Sequence, residues 1–177
     1  MKDILEFLRQ LSVEEKAALV AGTDFMFTNP VPRLNIPQVR MSDGPHGLRV
    51  QKHGGDNGVA GSEPATAFPT AALTACGWNE DNLYKMGQAI GEEACHYGIN
   101  VVLGPGVNIK RNPLAGRNFE YFSEDPLLAG KSGAAEIKGI QSKGAGVSLK
   151  HFALNNAENY RFMGSSVCDE RAAIEIY

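Results

Sequence analysis

Along the first twenty residues, MKDILEFLRQLSVEEKAALV, apolar positions are broken at short intervals by Asp3, Glu6, Arg9, Glu14 and Glu15. That is the patterning of an amphipathic helical segment, not the continuous apolar stretch of a secretory signal. Ser12-Val-Glu-Glu15 has the spacing of a capping box, and the residues that follow run to Gly22, so a helix is predicted over about 13–21. Pro30, Pro32 and Pro37 mark a loop, after which Gln38-Val-Arg-Met-Ser42 reads as a short strand ending at Asp43-Gly44-Pro45. Residues 51–69 are Gly-rich and hydrophilic without an apolar period, which predicts a long loop.

Thr70-Ala-Ala-Leu-Thr-Ala-Cys76 reads as a buried strand, and Asn79 as the cap of a helix that extends to about Tyr97 and stops at Gly98. Asn100-Val-Val-Leu103 is a third apolar run, closed by Gly104-Pro105-Gly106. Asp125-Pro126 has the N-cap and first-turn preference for a helix reaching Lys143-Gly144. Gly146-Val-Ser-Leu-Lys150 is a fourth strand, and Asp169-Glu170-Arg171 opens a last helix. Strands near 39–43, 71–76, 100–104 and 147–151, with helices in two of the intervals, predict parallel βα units. Polar residues follow the strand ends, where α/β folds place their sites. A doubly wound sheet and a (β/α)8 barrel both satisfy this order, and periodicity does not separate them.

Composition narrows the picture by exclusion. The 177 residues are 43% hydrophobic and 21% charged, with a net charge of −3, which argues against disorder and against a basic nucleic-acid patch. No apolar run approaches the ~18 residues of a membrane span. Cys76, Cys95 and Cys168 have the spacing of neither a disulfide framework nor a metal clasp, so three reduced thiols and a cytoplasmic location are expected. No cofactor and no metal is implied. Glycine is in excess, 20 residues, six of them between Gly44 and Gly61.

Four segments carry candidate chemistry. Gly104-Pro-Gly-Val-Asn-Ile109 begins like a dinucleotide loop, but Ile109 stands where the third glycine belongs and Lys110-Arg-Asn-Pro113 breaks the helix that should follow. A sharp turn that brings backbone close to a ligand is the better reading. Ser42-Asp-Gly-Pro-His-Gly-Leu-Arg49 combines a carboxylate, an imidazole and a guanidinium, with Asp43 suited to accept hydrogen bonds from a polyol and Arg49 to support it. Gly116-Arg-Asn-Phe-Glu-Tyr-Phe-Ser-Glu-Asp-Pro126 sets Arg117 and Glu120 among aromatics that should pack down, which would bury Arg117 and require a partner for it. Lys150, His151 and Arg161 bring basic groups together with only scattered acids nearby, which suits donors to hydroxyl oxygens and an anionic neighbour.

Together these segments, with Asn155 and Glu170-Arg171, resemble the N-terminal barrel domain of the family-three glycoside hydrolases, β-glucosidase branch. The resemblance follows the family's order over nearly the whole chain. It implies an α/β fold, the first half of a (β/α)8 TIM-type barrel over residues 1–177 preceded by an N-terminal helical segment. It also implies a non-reducing sugar subsite in which Asp43 grips hydroxyls, Arg117, Lys150, His151 and Arg161 donate to them, and Arg49 either makes a further contact with the sugar or supports the site. The N-acetylglucosaminidase branch would continue Lys150-His-Phe152 with a Pro-Gly-His-Gly loop, whereas this chain continues Ala153-Leu-Asn-Asn-Ala157.

Family chemistry is retaining hydrolysis by two carboxyl groups about 5 Å apart. The resemblance implies that both lie outside this chain, on a later strand and in a following domain, and Asp43 and Glu120 are assigned neither role. The expected function is the N-terminal portion of an enzyme that releases terminal β-D-glucosyl residues, inactive by itself. The expected partners are a small β-glucoside or short oligosaccharide and the remaining half of the enzyme, or another copy through open strand edges, with no nucleic acid and no membrane. A stand-alone sugar-binding or regulatory module, and more remotely a nucleotide-binding protein, are the competing expectations.

Overall fold

A computed structural model of the chain describes residues 4–52 and 61–177. Helices α1 (Ile4–Gln10) and α2 (Val13–Ala21) lead in. The capping box forms as the sequence predicts. The Glu15 amide donates to the Ser12 hydroxyl at 3.1 Å and the Ser12 amide donates to the Glu15 carboxylate at 2.8 Å.

Three strands, β1 (Met41–Asp43), β2 (Val101–Leu103) and β3 (Gly146–Val147), lie in the order β1-β2-β3 and are all parallel. Met41 pairs with Val101 and Asp43 with Leu103, while Val101 pairs with Gly146. Past β3 the chain stays beside the loop after β2: the Lys150 amide donates to the Pro105 carbonyl at 3.0 Å, and the Val107 amide to the Lys150 carbonyl at 2.7 Å. The ends of all three strands are thereby brought to one edge of the sheet.

Between the strands run α3 (Ala71–Ala75), α4 (Glu80–His96) and α5 (Pro126–Gln141), and α6 (Glu170–Ile176) closes the chain. Each of the caps expected from the sequence is made. Asn79 accepts from the Asn82 amide at 3.1 Å, Asp125 from Leu128 at 2.9 Å and Asp169 from Ala172 at 2.8 Å. The expected strand at 71–76 is a correction, because that segment is helix α3. A five-residue apolar run does not distinguish strand from buried helix, and the alanines favour helix. Ala71 and Ala75, one turn apart, are its buried positions. The connection from β1 to β2 is therefore one long crossover, not two short βα units. The loop expected at 51–69 carries no helix over 61–69, and its residues 53–60 lie outside the described residues.

Leu83, Ile90 and Ala94 of α4 pack with Ala129, Ala135 and Ile140 of α5 and with Val102 of β2. The two helices touch backbone to backbone. A Cβ on Gly139 would stand 2.2 Å from the Tyr84 carbonyl oxygen, and one on Gly87 would stand 2.3 Å from that of Glu136. Part of the glycine excess therefore serves helix packing. Among the described residues no helix is long and apolar enough to cross a membrane.

Candidate active site

The loop after β1 is shaped by glycine. Gly44 has φ +120° and Gly47 φ +139°, and a Cβ on Gly44 would come within 1.9 Å of the Gly47 carbonyl oxygen. Only residues without a side chain accept both demands. The Arg49 amide closes the turn by donating to the Asp43 carbonyl at 2.9 Å. This leaves the Asp43 side chain at the end of β1, 45% exposed.

Across the sheet, the Lys150 ammonium donates to Asp43 Oδ1 at 3.0 Å and lies 3.5 Å from Glu120 Oε2. Glu120 is only 4% exposed, and its other oxygen receives Arg117 Nε. Arg117 also lies 3.7 Å from Glu158, whose second oxygen accepts from Arg161 at 3.1 Å. Burial opposes the charge of Arg117, but the hydrogen bond and charge of Glu120, aided by Tyr121 and Glu158, hold its pKa above the ordinary value. Glu158 is likewise partly desolvated. Its hydrogen bond from Asn155 and the charges of Arg117 and Arg161 outweigh this and keep its pKa low.

The chain of contacts thus runs Asp43, Lys150, Glu120, Arg117, Glu158, Arg161, alternating in sign. This corrects the expectation of basic groups with only scattered acids. Three carboxylates face three cations, so the cluster offers no surplus positive charge for an anionic ligand. Its acceptors and donors interleave instead, which matches neutral hydroxyl groups, each of which both gives and takes a hydrogen bond.

His151 joins the cluster through Tyr121, whose hydroxyl lies 2.8 Å from its Nδ1. Burial, with the charges of Arg117 and Lys150, lowers the His151 pKa against the opposing pull of Glu120 and Glu158. The His46 pKa is also depressed, chiefly by burial, and its Nε2 is buried without a partner among the described residues. Its ring meets the edge of Phe119 at 6.1 Å.

Five of the six candidate residues, Asp43, Arg117, Lys150, His151 and Arg161, are therefore linked through shared partners. Arg49 is not. It is held to Asp43 by backbone alone and lines a separate cavity with Asp24, Arg40 and Gln51. The Gly104-Pro105-Gly106 turn packs closely against other protein backbone and side chains. A Cβ on Gly104 would lie 2.9 Å from Pro45, and one on Gly106 would lie 2.6 Å from the Glu120 carbonyl oxygen. Glu158, Tyr121 and His46 went unassigned in the sequence. The signal for Glu158 was available, since it precedes Arg161 by three residues and a buried Arg117 demands an acid.

The geometry is that of a polar site at the carboxyl ends of parallel strands, and the sequence comparisons agree with it. Residues 30–160 match the glycosyl hydrolase family 3 N terminal domain, and the chain belongs to that family. It is 50% identical over 176 residues to the thermostable beta-glucosidase B of Acetivibrio thermocellus, covering 99% of this chain and 23% of that protein. It is 46% identical over 172 residues to an exo-alpha-(1->6)-L-arabinopyranosidase of Bifidobacterium longum, covering 96% of this chain and again 23% of the relative. Among solved structures, the beta-glucosidase of Kluyveromyces marxianus in complex with glucose superimposes with a TM-score of 0.89 at 39% identity, over 99% of this chain and 20% of that one. The chain thus spans about a quarter of the length of the relatives it matches, and its α/β fold is the N-terminal part of a TIM-type barrel.

Proposed function

We propose that this chain supplies the subsite for the non-reducing sugar in a retaining β-glucosidase-like hydrolase, acting on terminal β-D-glucosyl residues. The observation that carries the reading is the half-exposed Asp43 carboxylate, held by Lys150 at the strand ends of a family 3 domain. Asp43 accepts hydrogen bonds from two sugar hydroxyls. Lys150 has three N–H donors, of which Asp43 takes one while Glu120 stands 3.5 Å away as a counter-charge, which leaves a donor free for a sugar oxygen. Glu120 and Glu158 serve as fixed counter-charges that keep the donors in place without meeting the sugar.

Retaining hydrolysis needs a nucleophile and an acid/base whose carboxyl groups stand about 5 Å apart. In this reading both come from polypeptide beyond the 177 residues. What this chain contributes is orientation: the sugar ring is held so that its anomeric carbon faces the incoming nucleophile. A pentopyranoside is the second reading, favoured by the arabinopyranosidase relative.

The test is complementation. The chain is combined with the C-terminal three quarters of a family 3 β-glucosidase, and the purified complex is assayed on 4-nitrophenyl β-D-glucopyranoside and 4-nitrophenyl α-L-arabinopyranoside. Activity on the glucoside above that of either piece supports the proposal, and preference for the arabinoside selects the second reading. An inactive complex shown to contain both pieces, with binding of gluconolactone by the isolated chain, would replace both with a non-catalytic sugar-binding module.

A further inference from the structure

We infer that Tyr121 is a positioning residue for His151: its hydroxyl, held by Asn155 and Glu158, fixes the imidazole as the neutral form with its proton on Nε2. The inference rests on the sugar-subsite reading for its purpose, but not for its geometry.

Three hydrogen bonds determine the direction of the relay. The Asn155 side chain lies 2.9 Å from Glu158 Oε1 and 2.8 Å from the Tyr121 hydroxyl. Glu158 is ionised, because Asn155 and the two arginines hold its pKa low, and an ionised carboxylate only accepts. The Asn155 atom facing it is therefore the amide nitrogen, which has two protons and gives the second to the Tyr121 oxygen. Having accepted there, Tyr121 directs its single proton to its remaining neighbour, His151 Nδ1, at 2.8 Å. A nitrogen that accepts has no proton, so the ring proton sits on Nε2, the atom on the far side of the imidazole.

The surroundings support this direction. Tyr121 is fully buried, and burial, against the hydrogen bond from Asn155 and the charge of Arg117, raises its pKa, so the hydroxyl keeps its proton. The charged groups near His151 are Arg117, Lys150, Glu120 and Glu158. The ring centroids of Tyr121 and His151 stand 5.8 Å apart at 90°, an edge-on arrangement. His151 is then a donor of fixed direction, suited to a sugar hydroxyl oxygen, and Arg161, the next donor, is fixed by the same Glu158. One carboxylate thereby orients Arg117 and Arg161 directly and His151 through two intermediates.

The experiment is long-range 1H–15N NMR on the 15N-labelled chain, which reads Nδ1 and Nε2 of His151 separately across pH, in the native sequence and in Tyr121→Phe. The native ring should be neutral at pH 7 with protonated Nε2 and an accepting Nδ1. In Tyr121→Phe, Nδ1 loses its donor, so both tautomers should be populated and the His151 pKa should rise. A native ring protonated on Nδ1, or a variant with unchanged shifts and titration, would overturn the inference. If Tyr121→Phe does not fold, the native tautomer alone decides. In the complemented enzyme the same variant should raise KM for the aryl glucoside about fivefold, the weight of one neutral hydrogen bond. Failure of complementation would count against the sugar subsite while leaving the tautomer result intact.

Discussion

The ammonium of Lys150 reaches across β2 to meet the carboxylate of Asp43 at 3.0 Å, joining the ends of two strands that do not pair with each other. The contact spans 107 residues of sequence. It depends on the short parallel strands keeping register, and on the loop after β2 lying low enough for the side chain to pass.

Glu120 holds that bridge from beneath. It is nearly fully buried, and both of its oxygens meet cations that are themselves mostly shielded from water. Removing this buried acid leaves Lys150 with Asp43 alone and Arg117 with only the more distant Glu158, so Glu120→Ala should destabilise the chain by roughly 3 kcal/mol in urea unfolding. Glu120→Gln, which keeps hydrogen-bonding atoms but not the charge, should fall between. If Glu120→Ala left the unfolding midpoint unchanged, the bridge would not be held by this carboxylate.

Close helix packing makes a paired prediction within α5. A Cβ at Gly139 collides with the Tyr84 carbonyl, whereas one at Gly130 meets nothing within 4 Å. Gly139→Ala should force α4 and α5 apart, at a cost of roughly 3 kcal/mol. Gly130→Ala should stabilise the chain by about 1 kcal/mol through helix propensity. Thermal unfolding of the two variants side by side checks the sign of each, and equal shifts would contradict the packing described above.

Glu136 gives a pH dependence. Both of its carboxylate oxygens are buried without a partner among the described residues, and burial pushes its pKa from 4.5 up to about 8. The folded chain therefore keeps a proton that the unfolded chain releases. Below pH 4.5 the group adds no pH-dependent penalty. Its penalty grows as pH rises towards about 8 and is constant above. The limit for a shift of that size is on the order of 5 kcal/mol. Glu136→Met should remove this slope, so its gain over the native chain in urea unfolding should be larger at pH 8 than at pH 5. A gain independent of pH would mean that the carboxyl group ionises freely in the folded chain.

Much of this architecture is legible in the sequence because its signals are local. Ser12, Asn79, Asp125 and Asp169 announce helix starts through their own side chains, and each makes the bond its position predicts. The 71–76 segment misleads for the opposite reason. An apolar run of that length has no period of its own, and only its packing decides that it is helix. The glycine excess points to loops, yet Gly87 and Gly139 serve contacts between helices whose meeting no local pattern encodes.

The candidate site divides in the same way. Asp43, Arg117, Lys150, His151 and Arg161 are visible as side chains that need a purpose at strand ends. Their acids are present in the same motifs, Glu120 beside Arg117 and Glu158 before Arg161, but which cations they meet is not visible there. Glu120 and Glu158 turn a supposed basic cluster into a balanced one, and that balance exists only after separate loops converge. The relay from Asn155 through Tyr121 to His151 joins the loops after β2 and β3 and leaves no trace in sequence spacing. Arg49 differs from the other five: among the described residues its link to Asp43 is through the backbone, which closes the turn that carries Asp43.

The central claim is that Asp43 holds the sugar and does little for the fold. The most direct measurement is kcat/KM of the complemented enzyme on 4-nitrophenyl β-D-glucopyranoside with native and Asp43→Ala chains, alongside Tm for each. Two hydrogen bonds from sugar hydroxyls to a charged acceptor are lost, so kcat/KM should fall by at least about 100-fold. Tm should move by no more than about 4 °C, because the Asp43 side chain is half exposed and Lys150 keeps Glu120 as a counter-charge. Near-native kinetics in Asp43→Ala, or a loss of activity that only follows a collapse in Tm, would contradict the account.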